Sequence, residues 1–248
     1  MNIIGDVAGQ YDALMRLIDK MPKDEILLVG DLVDRGPKSK EVVEWAKSTP
    51  GVRVIRGNHE DLMNDHLFDL GNYPRDCWIW NGGQHTIDSY SVKDVDGTVI
   101  GPTDLVLMSN HGRWLNQQPL FYESDDLLVT HAPIARYFEN WKDCLKDDGA
   151  FEHGGYVLWN RGMPCRREKF QVFGHNSMWG LCWMVDGVMT RLKVEDELKP
   201  RAERKFASTK PEKAWGVCLD NSRSKVLTGM HWPSCEIFQE SFGDPYYD

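Results

Sequence analysis

The stretch Ile26-Leu27-Leu28-Val29-Gly30-Asp31-Leu32-Val33-Asp34-Arg35-Gly36 is an apolar run that stops at a glycine and delivers two carboxylates and a guanidinium into the loop beyond it. Two similar arrangements flank it. Met1–Ile4 leads into Gly5-Asp6-Val7-Ala8-Gly9-Gln10, and Val52–Ile55 leads into Gly57-Asn58-His59-Glu60. Between the three runs, Tyr11–Lys20 and Lys38–Lys47 carry apolar residues at helical spacing: Leu14, Leu17 and Ile18 in the first, Val42, Val43 and Ala46 in the second. Strand, helix, strand, helix, strand predicts an α/β fold begun by parallel βαβαβ units with right-handed crossovers. Strands buried on both faces are expected to be continuous apolar runs like these. In a parallel sheet the ligand site lies beyond the C-terminal strand ends, so Asp6, Asp31 and Asn58-His59 are expected on one rim.

The rest of the chain extends that plan. Residues 60–118 read as a helical and loop-rich cap over the rim. Asp126–Thr130 is a further buried-strand run ending at His131, and Phe170–Phe173 is another, ending at Gly174-His175. Leu181–Val185, Val188–Leu192, Ala214–Leu219, Val226–Met230 and Glu236–Phe238 alternate, with a hairpin signal at Asp186-Gly187. They predict a second, more antiparallel sheet. Lys193–Lys213 is highly charged, contains Pro200 and Pro211, and reads as an exposed excursion. The whole, 1–248, is expected to be one domain, long enough for a large core.

Bulk properties exclude several functions. A net charge of −9 gives no whole-chain electrostatic footprint for nucleic acid. No apolar run reaches membrane-spanning length, and no basic start precedes an apolar stretch at the N-terminus; a soluble cytoplasmic protein is the expectation. The six cysteines are scattered without a CxxC pair, which predicts reduced thiols and neither a zinc ribbon nor a disulfide framework. Most of the ten tryptophans are expected in the core.

The strand-end residues have the chemistry of a metal centre. Hard divalent cations prefer carboxylate and amide oxygens, and borderline ones add imidazole. Asp6, Asp31, Asn58, His131 and His175 supply that set. His111, which falls in a helical stretch, and His153, which follows an acidic loop-like stretch, compete less well with His131. A carboxylate such as Asp31 can bridge two metals about 3.5–4 Å apart, which bind phosphoryl oxygens and acidify a shared water. The resulting hydroxide attacks phosphorus in line. The guanidinium forks of Arg35 and Arg161 suit phosphate oxygens. His59 follows Asn58, so its imidazole is placed to protonate a departing alkoxide, with Asp34 fixing its tautomer.

These motifs, together with Thr130-His131-Ala132 and Trp159-Asn160-Arg161, resemble those of the phosphoprotein phosphatase branch of the calcineurin-like metallophosphoesterases, especially small bacterial and bacteriophage serine/threonine phosphatases. The resemblance covers nearly the whole chain. It implies a β-sandwich flanked by helices and two divalent metal ions, usually manganese, iron or zinc. It implies Asp6 and Asp31 on the first metal and Asp31, Asn58, His131 and His175 on the second. It also implies His59 as general acid with Asp34 as its partner, and Arg35 and Arg161 as phosphate ligands. Symmetrical dinucleoside tetraphosphate hydrolases look similar but usually carry a small residue where this chain has Asp34, which favours the protein-phosphatase-like branch. Small members of that branch accept many phosphomonoesters, so phosphoproteins, nucleotides and RNA ends are all expected as substrate classes.

One position departs from the family: Ala8 stands where it has a histidine ligand of the first metal. A methyl group offers no lone pair. Losses even beyond the ligand sphere cost roughly 10–100-fold in metal affinity or activity, so a weak or empty first site and impaired turnover are expected. The intact state of every other matching position points to an engineered His-to-Ala change over natural erosion. Two alternatives stand beside the phosphatase: a dinucleoside polyphosphate hydrolase, and a catalytically inactive module that binds phosphorylated ligands.

Overall fold

The computed structural model describes residues 1–145, 156–178, 180–185, 188–191 and 209–243. His153, the Asp186-Gly187 turn and residues 193–208 of the charged excursion lie outside the described residues.

Three short parallel strands build the first rim. β1 (Asn2–Ile4), β2 (Ile26–Leu28) and β3 (Val52–Val54) pair with Ile3 opposite Leu27 and Leu27 opposite Arg53. The crossovers are α1 (Tyr11–Lys20) and α2 (Ser39–Ser48). Both helices bury the stripe that their spacing marks: Ala13, Leu14 and Leu17 in α1, Val42, Val43 and Ala46 in α2.

The third motif opens α3 (Asn58–Phe68), with Gly57 as its N-cap. A five-residue π turn at Ile79–Gly83 runs into α4 (Gln84–Ser89), followed by β4 (Ser91–Lys93), β5 (Val99–Thr103) and α5 (Leu105–Asn116). β4 and β5 form an antiparallel ribbon of their own. That ribbon is not apparent in the sequence, because it is largely exposed and has no buried face to impose an alternating pattern.

A second sheet follows. β6 (Phe121–Glu123) pairs antiparallel with β7 (Leu127–Thr130), and β7 pairs in parallel with β8 (Phe170–Phe173). β9 (Cys182–Val185) and β10 (Val188–Arg191) form an antiparallel pair. β11 (Ala214–Cys218) lies between β9 and β8, parallel to β8. The chain then returns to the first sheet through β12 (Asp220–Asn221), β13 (Val226–His231) and β14 (Glu236–Ser241), with β13 antiparallel to β1.

The two sheets face each other. Ile3, Leu27, Val29 and Ile55 from the first meet Leu127, Val129, Val172, Trp183 and Val217 from the second. The opposite pleat of the first sheet sends Ile4, Leu28 and Val54 toward α1 and α2. This is a mixed α/β sandwich with helices outside it, as expected, but Val226–Met230 and Glu236–Phe238, expected in the second sheet, instead extend the first, where β13 pairs with β1. Because β1–β3 and β7, β8 and β11 are parallel within their sheets, each sheet presents several C-terminal strand ends together. The six cysteines are unpaired. No described helix is long and apolar enough to cross a membrane.

Leu27, 1% exposed, lies at the centre of the sandwich interior. Leu27→Ala is expected to destabilise the protein by about 3 kcal/mol through lost burial and a residual cavity, measured as a drop in the urea midpoint at constant slope.

Candidate metal centre

The rims of the two sheets meet. Gly174 N–H donates to the His131 carbonyl at 2.8 Å, bringing the residues that follow β7 and β8 together. Asn58 Oδ1 stands between the two imidazoles, 3.0 Å from His131 Nε2 and 2.8 Å from His175 Nδ1. His131 Nε2 is also 3.2 Å from Asp31 Oδ1. Its Nδ1 lies 2.8 Å from the Val29 carbonyl, so Nδ1 carries the proton and Nε2 offers its lone pair inward. Ligand atoms of Asp31, His131 and His175 all fall within 4.8 Å of one another. Asp6 sits on the other flank of His175, where its carboxylate accepts the His175 N–H at 3.0 Å.

The donor set fits a cation. His175 Nε2 is buried with no hydrogen-bond partner in the protein, which is rare for a buried ring nitrogen. Space has been left for carboxylates: a Cβ on Gly57 would overlap Asp31 Oδ1, and one on Gly174 would overlap Asp6 Oδ1. Asp6, Asp31, Asn58, His131 and His175 are all buried, and all come from segments that directly follow a strand.

Beside this cluster lies an acid–base pair. His59 Nδ1 is 2.5 Å from Asp34 Oδ2, and His59 Nε2 is 2.6 Å from Arg35 Nη2 and 3.8 Å from Asp31 Oδ2. The ring therefore spans from Asp34 to the carboxylate cluster. Arg161 is exposed and donates from Nη1 to the His175 carbonyl at 3.3 Å, on the rim of the same centre. Ala8 is buried, and its N–H donates to the Asp31 carbonyl at 2.7 Å.

Several participants were not singled out by sequence reasoning. Glu60 accepts the N–H groups of Gly57, Asp31 and Leu32 at 2.7–2.8 Å; its position three residues after an N-cap was the available signal. Asp220 follows the apolar end of β11 and is close enough to raise the Asp6 pKa; the strand-end pattern marked it too. Trp78 and Thr86 bond to Asp34 from 44 and 52 residues away, and nothing local announces them.

Comparisons with known proteins bear on the family and the fold. The sequence model of the calcineurin-like phosphoesterases matches residues 2–200. The chain belongs to this family. Similar curated proteins include symmetrical bis(5'-nucleosyl)-tetraphosphatases from Vibrio campbellii, 30% identical over 63% of this chain and 54% of that protein, and from Hamiltonella defensa, 36% identical over 53% and 43%. The chain spans about half the length of the curated relatives it matches. Among solved structures, a metallophosphoesterase from Sphaerobacter thermophilus shares the fold at TM-score 0.55, with 12% identity over 98% of this chain and 89% of the other. A protein serine/threonine phosphatase from Saccharomyces cerevisiae does so at 0.52, with 16% identity over 98% and 79%.

The centre is built under strain. Ala8, Asp31, Asp34, Arg35 and His175 all adopt positive φ, between 45° and 73°, a region non-glycine residues enter rarely. Such outliers persist where the surroundings over-determine them. Its electrostatics are equally constrained. Burial pushes the Asp6 carboxyl well above its usual range, with the Asp220 and Asp31 charges adding to the effect. Asp31 is also buried, but His131, His59 and Arg35 more than offset that and hold it low. Burial lowers His131, and lowers His175 to about 2, so both imidazoles are neutral and able to act as ligands. Burial raises Glu60 to about 8, with Asp31 adding to it, against the pull of three backbone N–H groups.

These shifts give a signed pH dependence. The lowered histidines favour the folded state as pH rises to their ordinary 6.5 and contribute no further slope above it. Glu60, raised, contributes stability present below its unfolded value of 4.5 and lost as pH rises through about 8. Metal-free stability should therefore fall between pH 6.5 and 8, as read by thermal denaturation in a chelating buffer. Glu60→Gln should flatten that slope. It should also cost about 2 kcal/mol at pH 6.5, since an amide nitrogen has no lone pair to accept the N–H groups that one carboxyl oxygen of Glu60 serves.

Proposed function

We propose that this centre hydrolyses phosphomonoesters, with serine/threonine phosphoproteins the favoured class and nucleotides and RNA ends as further substrates. Asp6 and Asp31 would hold a first divalent cation and Asp31, Asn58, His131 and His175 a second, manganese being the first choice. Bound there, the cations would supply Lewis-acid activation of water and neutralisation of phosphoryl charge. The chain's own residues do the rest. Arg35 and Arg161 flank the cluster and grip the phosphate oxygens. Asp34 accepts the His59 Nδ1–H, so that a protonated His59 would give its Nε2 proton to the leaving oxygen and return as the neutral Nδ1–H tautomer.

The 2.5 Å contact between His59 Nδ1 and Asp34 Oδ2 is the observation that carries this reading. An alkoxide leaving from a phosphomonoester is a strong base, so a positioned acid contributes substantially to its departure. A phosphate leaving from a phosphoanhydride is a far weaker base and gains less. A buried carboxylate devoted to orienting the acid therefore favours the ester. Hydrolysis of dinucleoside polyphosphates is the second reading, and the names of the similar curated proteins favour it.

Ala8 weakens the first metal position, and an engineered His-to-Ala change accounts for an otherwise intact set. Ala8→His is expected to raise turnover of p-nitrophenyl phosphate with Mn²⁺ by at least about tenfold. A panel of p-nitrophenyl phosphate, phosphoserine peptides and dinucleoside polyphosphates, run on that variant, separates the readings. Preference for the dinucleotides contradicts the phosphomonoester assignment. Tight ligand binding without turnover of any of them indicates a binding module.

A further inference from the structure

Two residues of the cap bond directly to Asp34, whose N–H also reaches Ser39 Oγ at 3.1 Å. Asp34 Oδ1 accepts from the Thr86 hydroxyl at 2.7 Å and from Trp78 Nε1 at 3.0 Å. Oδ2 lies 3.0 Å from the same indole N–H and faces His59 Nδ1. Thr86 Oγ1 also accepts the Asp34 N–H at 2.8 Å, so one hydroxyl clasps both the backbone and the carboxylate of a residue whose φ is 73°. All three residues are buried. The glycines between Trp78 and Thr86 complete the clasp. The Gly82 carbonyl accepts the Arg35 N–H at 3.2 Å, and a Cβ on Gly83 would strike the Trp78 ring.

A buried indole needs one acceptor for its N–H, and any backbone carbonyl would serve. Here the acceptor is the carboxylate that orients an imidazole. We propose that Trp78 and Thr86 are positioning residues for His59. By fixing both oxygens of Asp34 they set the direction of the His59 Nδ1 hydrogen bond, and so the aim of Nε2 at the leaving oxygen. This inference rests on His59 acting as the general acid. It makes leaving-group protonation depend on how the cap is seated, because a shift of Trp78 or Thr86 would disturb their bonds to Asp34.

The test needs a readout independent of turnover. A short imidazole N–H to carboxylate bond gives a far-downfield proton resonance, observable in the metal-free protein as it stands and assigned by its loss in Asp34→Asn. In Trp78→Phe and Thr86→Val this resonance is expected to shift upfield or be lost to exchange, while Thr86→Ser, which keeps the hydroxyl, restores it. In the Ala8→His background with Mn²⁺, the same two variants should raise the ratio of kcat on p-nitrophenyl phosphate to kcat on a phosphoserine peptide by at least about tenfold, since only the poor leaving group needs the acid. An unchanged resonance in both variants overturns the proposal, as does an equal loss of kcat on both substrates. Absence of phosphomonoester turnover in the Ala8→His protein counts instead against the phosphatase reading, and the resonance then decides the positioning role alone.

Discussion

The Glu60 carboxylate holds the second and third motifs in one piece by accepting the N–H groups of Asp31, Leu32 and Gly57. Much of the centre depends on that bond set. Asp31 can keep a positive φ because its N–H is committed to Glu60, while the His59 N–H meets its carboxylate at 3.1 Å. The Ala8 N–H in turn caps the Asp31 carbonyl. Three loops, each following a strand of the first sheet, become a single surface. Strand pairing alone would leave them adjacent but free to move, and charged groups are useful to a cation only when held still.

Bringing so many ionisable groups into one buried place is costly, and the sequence spreads the cost unevenly. On the side of His131 and His175, imidazoles and an amide surround Asp31 with Arg35 nearby, and its carboxyl is held low. On the other side, Asp6 faces Asp220 and Asp31, whose charges add to burial in raising its carboxyl well above the usual range. A histidine at position 8 would add a neutral donor to that flank, whereas the methyl of Ala8 adds none. Repulsion between Asp6 and its acidic neighbours is what a divalent cation would relieve, so the weakened flank is also the one with most to gain from a metal.

The strand ends were legible because parallel strands buried on two faces must be continuous apolar runs, and Ile26–Leu28 or Leu127–Thr130 cannot be mistaken for surface. Their register then follows from topology, and so does the meeting of Asp31, Asn58, His131 and His175. The exposed ribbon of β4 and β5 left no such mark. Neither did Trp78 and Thr86, whose roles exist only once the cap has folded over a loop some 44 and 52 residues upstream. A tryptophan in a short helical stretch reads as core, and this one is core. Its single polar atom, pointed at Asp34, is what distinguishes it, and the absence of a side chain at Gly83 leaves room for the indole.

If His59 is the acid, the cap has a part in the chemistry as well as in covering it. In an enzyme that expels a weakly basic phosphate, an imidazole pointed at the leaving oxygen is dispensable, and no buried carboxylate need be kept in a left-handed backbone to orient it. This chain keeps one, satisfies both of its oxygens, and ties it to a segment far away in sequence. Stability alone does not call for such a set, since apolar residues in place of Asp34 and all of its buried partners would spare the burial of a charge. The set is intelligible if protonating a strongly basic leaving group is the step that the cap exists to hold in register.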